Sequence, residues 1–388
     1  GSEMCIRDRF VTNIDNSFYA VQSHNINGSV VIMDPFNGDI LAMVGGISYL
    51  NSKFNRATQA FRQPGSSIKP FIYAQAIEQN KYLPNSIILD SDIILDQGPN
   101  LPTWIPKNYS NKSYGTMTFR KALETSNNLV TLKIGLDLGL PSVNSFFNKM
   151  NLYQNNKSND VYSLLLGAIE NNLLNITKSY SLFVNGGYEV SPNIIKKVVS
   201  DSGQLIANQD YYECNFCKFN IEDRSYRKPI IKPNNFNSIT PQTSFQILNI
   251  LRGAVERGTG KSLNEINYPI AGKTGTTNDS KDLWFFGLTP KFVVGIYVGY
   301  DKPRKIGYKE TGSSVALPVF KSFMKEYLNN KDLDNDAFFI PKNLILKKID
   351  IDTGLFSDQD GSIFEFFTKD QLETINNLNK VDNIGGIN

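Results

Sequence analysis

Runs of apolar and polar positions divide this chain into strand-like and helix-like stretches. Gly28 to Asp34 and Asp39 to Val44 are β-branched apolar runs flanking Asp34-Pro35-Phe36-Asn37-Gly38, whose Asn-Gly step suits a hairpin turn. After a loop rich in Asn and Arg, Ile68, Phe71, Ile72, Ala76 and Ile77 mark a helical stripe opened by Pro64-Gly65, with Pro70 tolerated in the first turn. From Pro84 to Gly115 the periodicity lapses into a Pro-, Asn- and Ser-rich stretch, which predicts a long surface loop. Helical patterning returns from Thr118 to Leu123 and near 128–137, 142–150 and 174–184. Ile194 to Ser200 and Gln204 to Ala207 predict another hairpin around Asp201-Ser202-Gly203, and Gln242 to Glu256 a helix. Tyr268 to Thr276, Leu283 to Leu288 and Phe292 to Gly299 read as three strands of an antiparallel meander. Leu344 to Ile351 is strand-like again, and a polar tail follows. No internal repeat is visible.

Strands at both ends with helices between them predict one sheet assembled from distant segments, flanked by helices and carrying an inserted helical subdomain. That is an α+β fold. With 388 residues, 40% hydrophobic and 20% charged, the chain can bury a full core. Forty Lys+Arg against 37 Asp+Glu leave a net charge of +3, and no concentrated basic block stands out, which argues against a nucleic-acid partner. No apolar run approaches the roughly 18–20 residues of a membrane helix and no signal peptide opens the chain, so it reads as soluble. Residues 1–9, Gly-Ser-Glu-Met-Cys-Ile-Arg-Asp-Arg, show no periodicity and read as a scar or foreign segment.

Cys5 lies in that leader, while Cys214 and Cys217 form a Cys-x-x-Cys. Zinc would need two further ligands, and with His24 the only histidine and no second thiol pair no metal site is expected. The loop-like flanks do not suit a redox-active helix start, which leaves a local disulfide or two incidental thiols.

With one histidine, a nucleophile needs another base. Ser66-Ser67-Ile68-Lys69 offers one, because residues three apart on a helix share a face and Lys69 could reach the Ser66 hydroxyl. Ser-x-x-Lys recurs at Ser225 to Lys228, in a charged loop, and at Ser322 to Lys325, inside an amphipathic helix without a preceding Pro-Gly. Ser126-Asn127-Asn128 follows a predicted helix end, so its side chains can project from an interhelical turn, which Ser23-His24-Asn25 and Ser142-Val143-Asn144 do not share. Lys273-Thr274-Gly275-Thr276 ends a predicted strand, with Lys273 and Gly275 on one face. A lysine there can hold a carboxylate, and the glycine leaves room for another backbone or a ligand.

Ser-x-x-Lys, Ser-x-Asn and Lys-Thr-Gly in this order occur together in penicillin-binding proteins and serine β-lactamases. The chain strongly resembles the transpeptidase domain of class A penicillin-binding proteins, the bifunctional peptidoglycan synthases. Gly38 to Gly46, Phe54 to Ala60, Arg62 to Ser66, Gly272 to Asn278 and Asp282 to Phe285 all carry the likeness. It implies a transpeptidase domain over 28–330, a C-terminal extension over 331–388, and a scar plus linker remnant over 1–27.

It further implies that Ser66, Lys69, Ser126 and Lys273 are catalytic, that Asn128, Thr274, Gly275 and Thr276 bind substrate, and that the Ser66 and Thr276 N–H groups hold the oxyanion. The implied partners are donor and acceptor stem peptides of peptidoglycan and β-lactam antibiotics, with no cofactor. A membrane anchor and a glycosyltransferase domain would precede residue 1, placing the domain on the periplasmic side of the inner membrane. A serine β-lactamase and a penicillin-recognising sensor or scaffold share the same acylation residues. Two apparent motifs lead elsewhere: Gly258-Thr259-Gly260-Lys261-Ser262 lacks the first glycine of a P-loop and follows a helix, and Glu170 to Asn175 has the wrong spacing for a deacylating glutamate loop.

Overall fold

The computed structural model describes residues 9–14, 17–22, 26–99, 102–153, 161–208, 212–215, 230–233, 237–329 and 336–384. A hairpin of β1 (Arg9–Ile14) and β2 (Ser17–Gln22) precedes the region where the sequence pattern first predicts structure. β3 (Ile26–Met33) and β4 (Ile40–Val44) then form the expected hairpin. A 3₁₀ turn at Gly65–Ile68 leads into α1 (Lys69–Glu78), whose Pro70 sits in the first turn, where no intrahelical donor is needed. Every residue from Lys69 to Ile77 is buried, so α1 is a central helix wrapped by others rather than one with a single apolar stripe.

The expected loop from Pro84 to Gly115 contains β5 (Ile87–Asp90), which pairs with β6 (Gly115–Thr118) at the loop's far end. α2 (Phe119–Glu124), α3 (Asn128–Leu138), α4 (Leu140–Lys149) and α5 (Leu173–Tyr180) complete a helical lobe. Thr118, Asn127 and Asn172 cap three of these helices by accepting an amide hydrogen bond from the residue three positions on. Two small hairpins follow, β7 (Lys197–Val199) with β8 (Leu205–Asn208) and β9 (Tyr212–Asn215) with β10 (Ile230–Pro233). Cys217 and Ser225 lie outside the described residues.

α6 (Pro241–Glu256) returns the chain to β11 (Ala271–Thr276), β12 (Asp282–Leu288) and β13 (Val293–Tyr300), the predicted meander. β13 pairs with β3, giving a five-stranded antiparallel sheet in the order β11-β12-β13-β3-β4. Both faces are covered along β12 and β13. Phe285, Val294 and Ile296 pack under α7 (Leu317–Asn329) through Leu317, Phe320 and Met324. Trp284, Phe286 and Tyr297 face the lobe, where the Tyr180 ring stacks on Phe286 at 4.4 Å. Two-sided cover explains why β12 is buried at every position and reads as a continuous apolar run. The architecture is the expected α+β arrangement.

The chain ends with β14 (Ile345–Ile349), β15 (Ile363–Phe367) and α8 (Lys369–Ile384). The stretch read as a polar tail is therefore largely helical, held by Ile375 packing with Leu83, Ile349 and Phe367. Its sparse apolar residues suffice because they land on a surface already made by β14, β15 and Leu83.

Candidate active site

Ser66 lies in the 3₁₀ turn before α1, half-buried, while Lys69 is fully buried at the first position of α1. The turn is pinned from both sides: Ser67 Oγ donates to Pro64 O at 2.8 Å, and the Tyr180 hydroxyl donates to Ser67 O. The sequence predicts that Lys69 reaches the Ser66 hydroxyl, but its hydrogen bonds run elsewhere. Nζ donates to Ser126 O and Asn128 Oδ1, both at 2.6 Å, to Asn127 O at 3.2 Å and weakly to Ser126 Oγ at 3.5 Å. Carbonyl-type oxygens converging from one turn solvate a buried amine better than a single half-exposed hydroxyl can.

That turn joins α2 to α3 and is strained. Ser126 adopts φ +58°, a left-handed conformation costing a non-glycine residue about 1–2 kcal/mol. Its carbonyl turns toward Lys69 while its hydroxyl accepts from Lys273 Nζ at 2.9 Å. The surface loop holds the turn in place. Buried Asp90 accepts from Asn108 Nδ2 at 3.0 Å and from Asn127 Nδ2 at 2.8 Å, and Asn108 Oδ1 accepts from the Asn128 N–H at 2.9 Å. Asn128 Nδ2 donates to Lys107 O at 2.9 Å. So Asn128, expected to meet substrate, also anchors Lys69 and the loop.

Two lysines are thus buried around one hydroxyl. Burial, and second the charge of Lys273, hold Lys69 well below the usual lysine value of 10.5. Burial alone brings Lys273 down to about 7. Lys273 Nζ also donates to Thr274 O at 2.9 Å. Among the described residues neither lysine forms an ion pair with a carboxylate.

Lys273 reaches this point because β11 is the sheet's edge and lies against the nucleophile turn. The approach is possible only without side chains. A Cβ on Gly65, at φ +52°, would stand 2.4 Å from Thr276 O, and one on Gly275 would stand 2.6 Å from Pro64 O and 3.0 Å from Ser67 Cβ. The room that Gly275 leaves is therefore taken by another backbone. Trp284 Nε1 donates to Gln63 O at 2.8 Å, tying β12 to the same turn.

Ser66, Ser126, Asn128, Thr274 and Thr276 line one cleft of about 530 Å³. Lys69 and Lys273 lie beneath its floor. Thr274 Oγ1 donates to Thr259 Oγ1 at 3.2 Å, and Thr276 Oγ1 accepts from the Gly312 N–H at 3.0 Å. Lys107, Asn108, Tyr109, Thr259, Thr311 and Ser313 also line the cleft, though no sequence pattern marks them. Thr259 belongs to the segment rejected as a P-loop, which lies after α6 as anticipated. Glu170 is exposed outside the cleft, in the approach to α5, and Lys325 of the third Ser-x-x-Lys pairs with Glu265 at 2.6 Å. Among the described residues no cluster of three metal-ligating side chains occurs, and no helix is long and apolar enough to cross a membrane.

The model of the penicillin binding protein transpeptidase domain matches residues 28–325. Penicillin-binding protein 1A of Rickettsia typhi is 39% identical over 374 residues, covering 96% of this chain and 47% of that protein. The Rickettsia bellii protein of the same name is 40% identical over 364 residues, 93% of this chain and 45% of the relative. The chain thus spans about half the length of the curated relatives it matches. The crystal structure of penicillin-binding protein 1A from Haemophilus influenzae superposes with a TM-score of 0.78 at 29% identity, over 92% of this chain and 56% of that one. PonA1 from Mycobacterium tuberculosis shares the fold at a TM-score of 0.66 and 21% identity, over 87% and 84% of the two chains.

Proposed function

Since the chain belongs to the penicillin binding protein transpeptidase family, we propose that it is a D,D-transpeptidase that crosslinks peptidoglycan stem peptides through an acyl-enzyme on Ser66, and that β-lactams acylate the same serine. One observation carries this reading: the Ser126 hydroxyl lies 2.9 Å from Lys273 Nζ and 3.5 Å from Lys69 Nζ, beside a cleft lined by Ser66.

In the first half-reaction Ser66 Oγ attacks the carbonyl between the two terminal D-alanines of the donor stem. Its proton passes to Lys69 Nζ, which must be neutral, and burial beside Lys273 favours that state. The tetrahedral oxyanion is held by the backbone N–H groups of Ser66 and Thr276, two segments whose close approach the side-chain-free position 65 permits. Each such donor is worth about 2.7–4 kcal/mol. The carbon–nitrogen bond then breaks, and the leaving amine takes a proton relayed from Lys69 through Ser126. Lys273, Thr274 and Thr276 receive the terminal carboxylate, Asn128 meets a backbone amide, and the substrate extends along the edge of β11. In the second half-reaction an acceptor amine attacks the ester, surrenders a proton by the same relay and restores the Ser66 hydroxyl. The chain would work on the periplasmic face of the inner membrane, within a longer protein that also carries an anchor and a glycosyltransferase domain.

Fluorescent penicillin tests the reading. Label that persists for hours and is absent from Ser66→Ala is expected, together with D-alanine release from stem peptides. Label lost within minutes points to a β-lactamase instead. Stable label without D-alanine release points to a sensor, and undiminished label on Ser66→Ala overturns the site.

A further inference from the structure

The segment after β13 gathers positive charge that the acyl-transfer site does not use. From Lys302 to Lys309 it holds Lys302, Arg304, Lys305 and Lys309 with no acidic residue, and all four are exposed. None forms an ion pair among the described residues, whereas neighbouring Asp301 is claimed by Arg56 through two contacts of 2.6 Å. Aromatic rings collect the charges. The Arg304 guanidinium lies 4.0 Å from the Tyr300 ring centroid, and the Lys305 and Lys309 ammonium groups lie 5.7 and 5.3 Å from that of Tyr308, whose side chain is 81% exposed.

The loop also lies between two depressions. On one side Tyr300, Lys302 and Arg304 line an open groove of about 630 Å³ whose other walls include Asn27, Asn51 and Ser52. On the other side the loop is stitched to the cleft: the Ile306 N–H donates to Ser280 O at 3.1 Å and the Tyr109 hydroxyl donates to Lys309 O at 3.3 Å. Tyr109 and Ser280 both line the cleft.

We propose that this loop and groove form a docking surface for the anionic glycan strand whose stems the cleft crosslinks. The inference rests on the transpeptidase reading for the identity of the strand. Four unpaired cations complement stem carboxylates, the exposed ring of Tyr308 offers a stacking face for a sugar, and the amides and hydroxyl of Asn27, Asn51 and Ser52 in the groove wall suit a hydrated polymer. Continuity with the cleft lets one strand occupy groove, loop and cleft together, raising the local concentration of stems at Ser66. Exposed Ile47 in the groove wall and exposed Leu50 nearby in sequence make an anionic bilayer the competing occupant.

The test uses the Ser66→Ala chain, so that binding is read without acylation. It is mixed with uncrosslinked glycan strands bearing intact stems, and co-sedimentation is followed from about 0.05 to about 0.5 M salt, a range over which screening removes exposed charge attraction. Binding is expected to fall with salt. It should weaken about tenfold when Lys302, Arg304, Lys305 and Lys309 are all changed to serine, and about threefold in Tyr308→Ala. Amidating the stem carboxyls should reproduce the fourfold substitution. Strand binding unchanged in the fourfold variant overturns the proposal, as do phosphatidylglycerol vesicles that bind the chain more tightly than the strands. Penicillin labelling of the unsubstituted chain is measured separately. Its absence would overturn the acyl-transfer reading and leave the surface standing, whereas labelling without salt-sensitive strand binding overturns the surface alone.

Discussion

Lys69 and Lys273 share one hydroxyl, that of Ser126, from opposite segments of the fold and with no carboxylate paired to either among the described residues. Two ammonium groups disfavour one another in such a place, and the Lys273 charge adds to burial in holding Lys69 below its usual value. Lys69 has three close carbonyl-type acceptors, which suit the three hydrogens of an ammonium, yet burial and Lys273 work against its charge. In its neutral form it keeps two of these bonds and gains the lone pair that a base requires.

Replacing Lys273 should separate stability from activity. Lys273→Met removes a buried amine and is expected to stabilise the chain by about 1–3 kcal/mol at neutral pH while slowing penicillin acylation at least about a hundredfold. The sign with pH follows from linkage. The folded-state value of about 7 lies below the usual 10.5, so the cost of burying Lys273 is full below pH 7 and fades as pH rises toward 10.5. Urea melts of both chains should therefore differ most at pH 7 and least near pH 10.

Acylation by penicillin should rise with pH along an acidic limb that reports loss of the proton from Lys69. Because the Lys273 charge is the second cause holding Lys69 down, the residual activity of Lys273→Met should show that limb displaced to higher pH. Lys69→Arg should leave no limb and no measurable labelling. A limb that stays in place in Lys273→Met would disconnect the two lysines. Stopped-flow labelling across about pH 4–9 reads all three outcomes.

Gly65→Ala should be among the most damaging single substitutions at the site. The new methyl meets Thr276 O at 2.4 Å on a backbone already at φ +52°, and a loss of about 3 kcal/mol or more is expected, with β11 pushed from the nucleophile turn. Gly203→Ala, at φ +80° with nothing within 4 Å, should cost only about 1–2 kcal/mol. Thermal melts compare the two, and penicillin labelling of any folded Gly65→Ala reports the displaced turn.

Arg120 is buried between Glu124 at 2.9 Å and Glu365, which grips it through two oxygens. Glu365→Leu should destabilise the chain by about 3–5 kcal/mol, because a guanidinium is left partly unanswered inside the protein. Combining it with Arg120→Met should recover much of that loss in denaturant titrations.

The three motifs are legible in sequence because each sits at the end of a helix or strand, where backbone regularity fixes the direction of a side chain. Their convergence is less so. Nothing in the local pattern predicts that Lys69 turns to the Ser126 carbonyl instead of the Ser66 hydroxyl, since that depends on a left-handed residue in a short turn. Asp90 and Asn108 escape notice because single polar residues in an irregular stretch have no period. The helix α1 hides its buried polar face behind an apparent stripe, and α8 reads as a tail because its few apolar residues find their packing on β14 and β15 and on the sequence-distant Leu83. The charges of the 302–309 loop, interrupted by Pro303 and Gly307, look like ordinary surface until the fold sets them beside the cleft.

The match to the transpeptidase domain model ends at residue 325, whereas the core still takes a carboxylate from residue 365. The unit that the domain match delimits and the unit held together by this ion pair are thus different in length. Glu365 enters the protein behind α2, whose other end runs into Ser126, and the Glu124 carbonyl between them accepts the N–H of Thr259 at the cleft. A fragment trimmed to the matched boundary would lose its cooperativity from the back of the site, and weak penicillin labelling of such a fragment would speak of a missing buttress, not of an inactive serine.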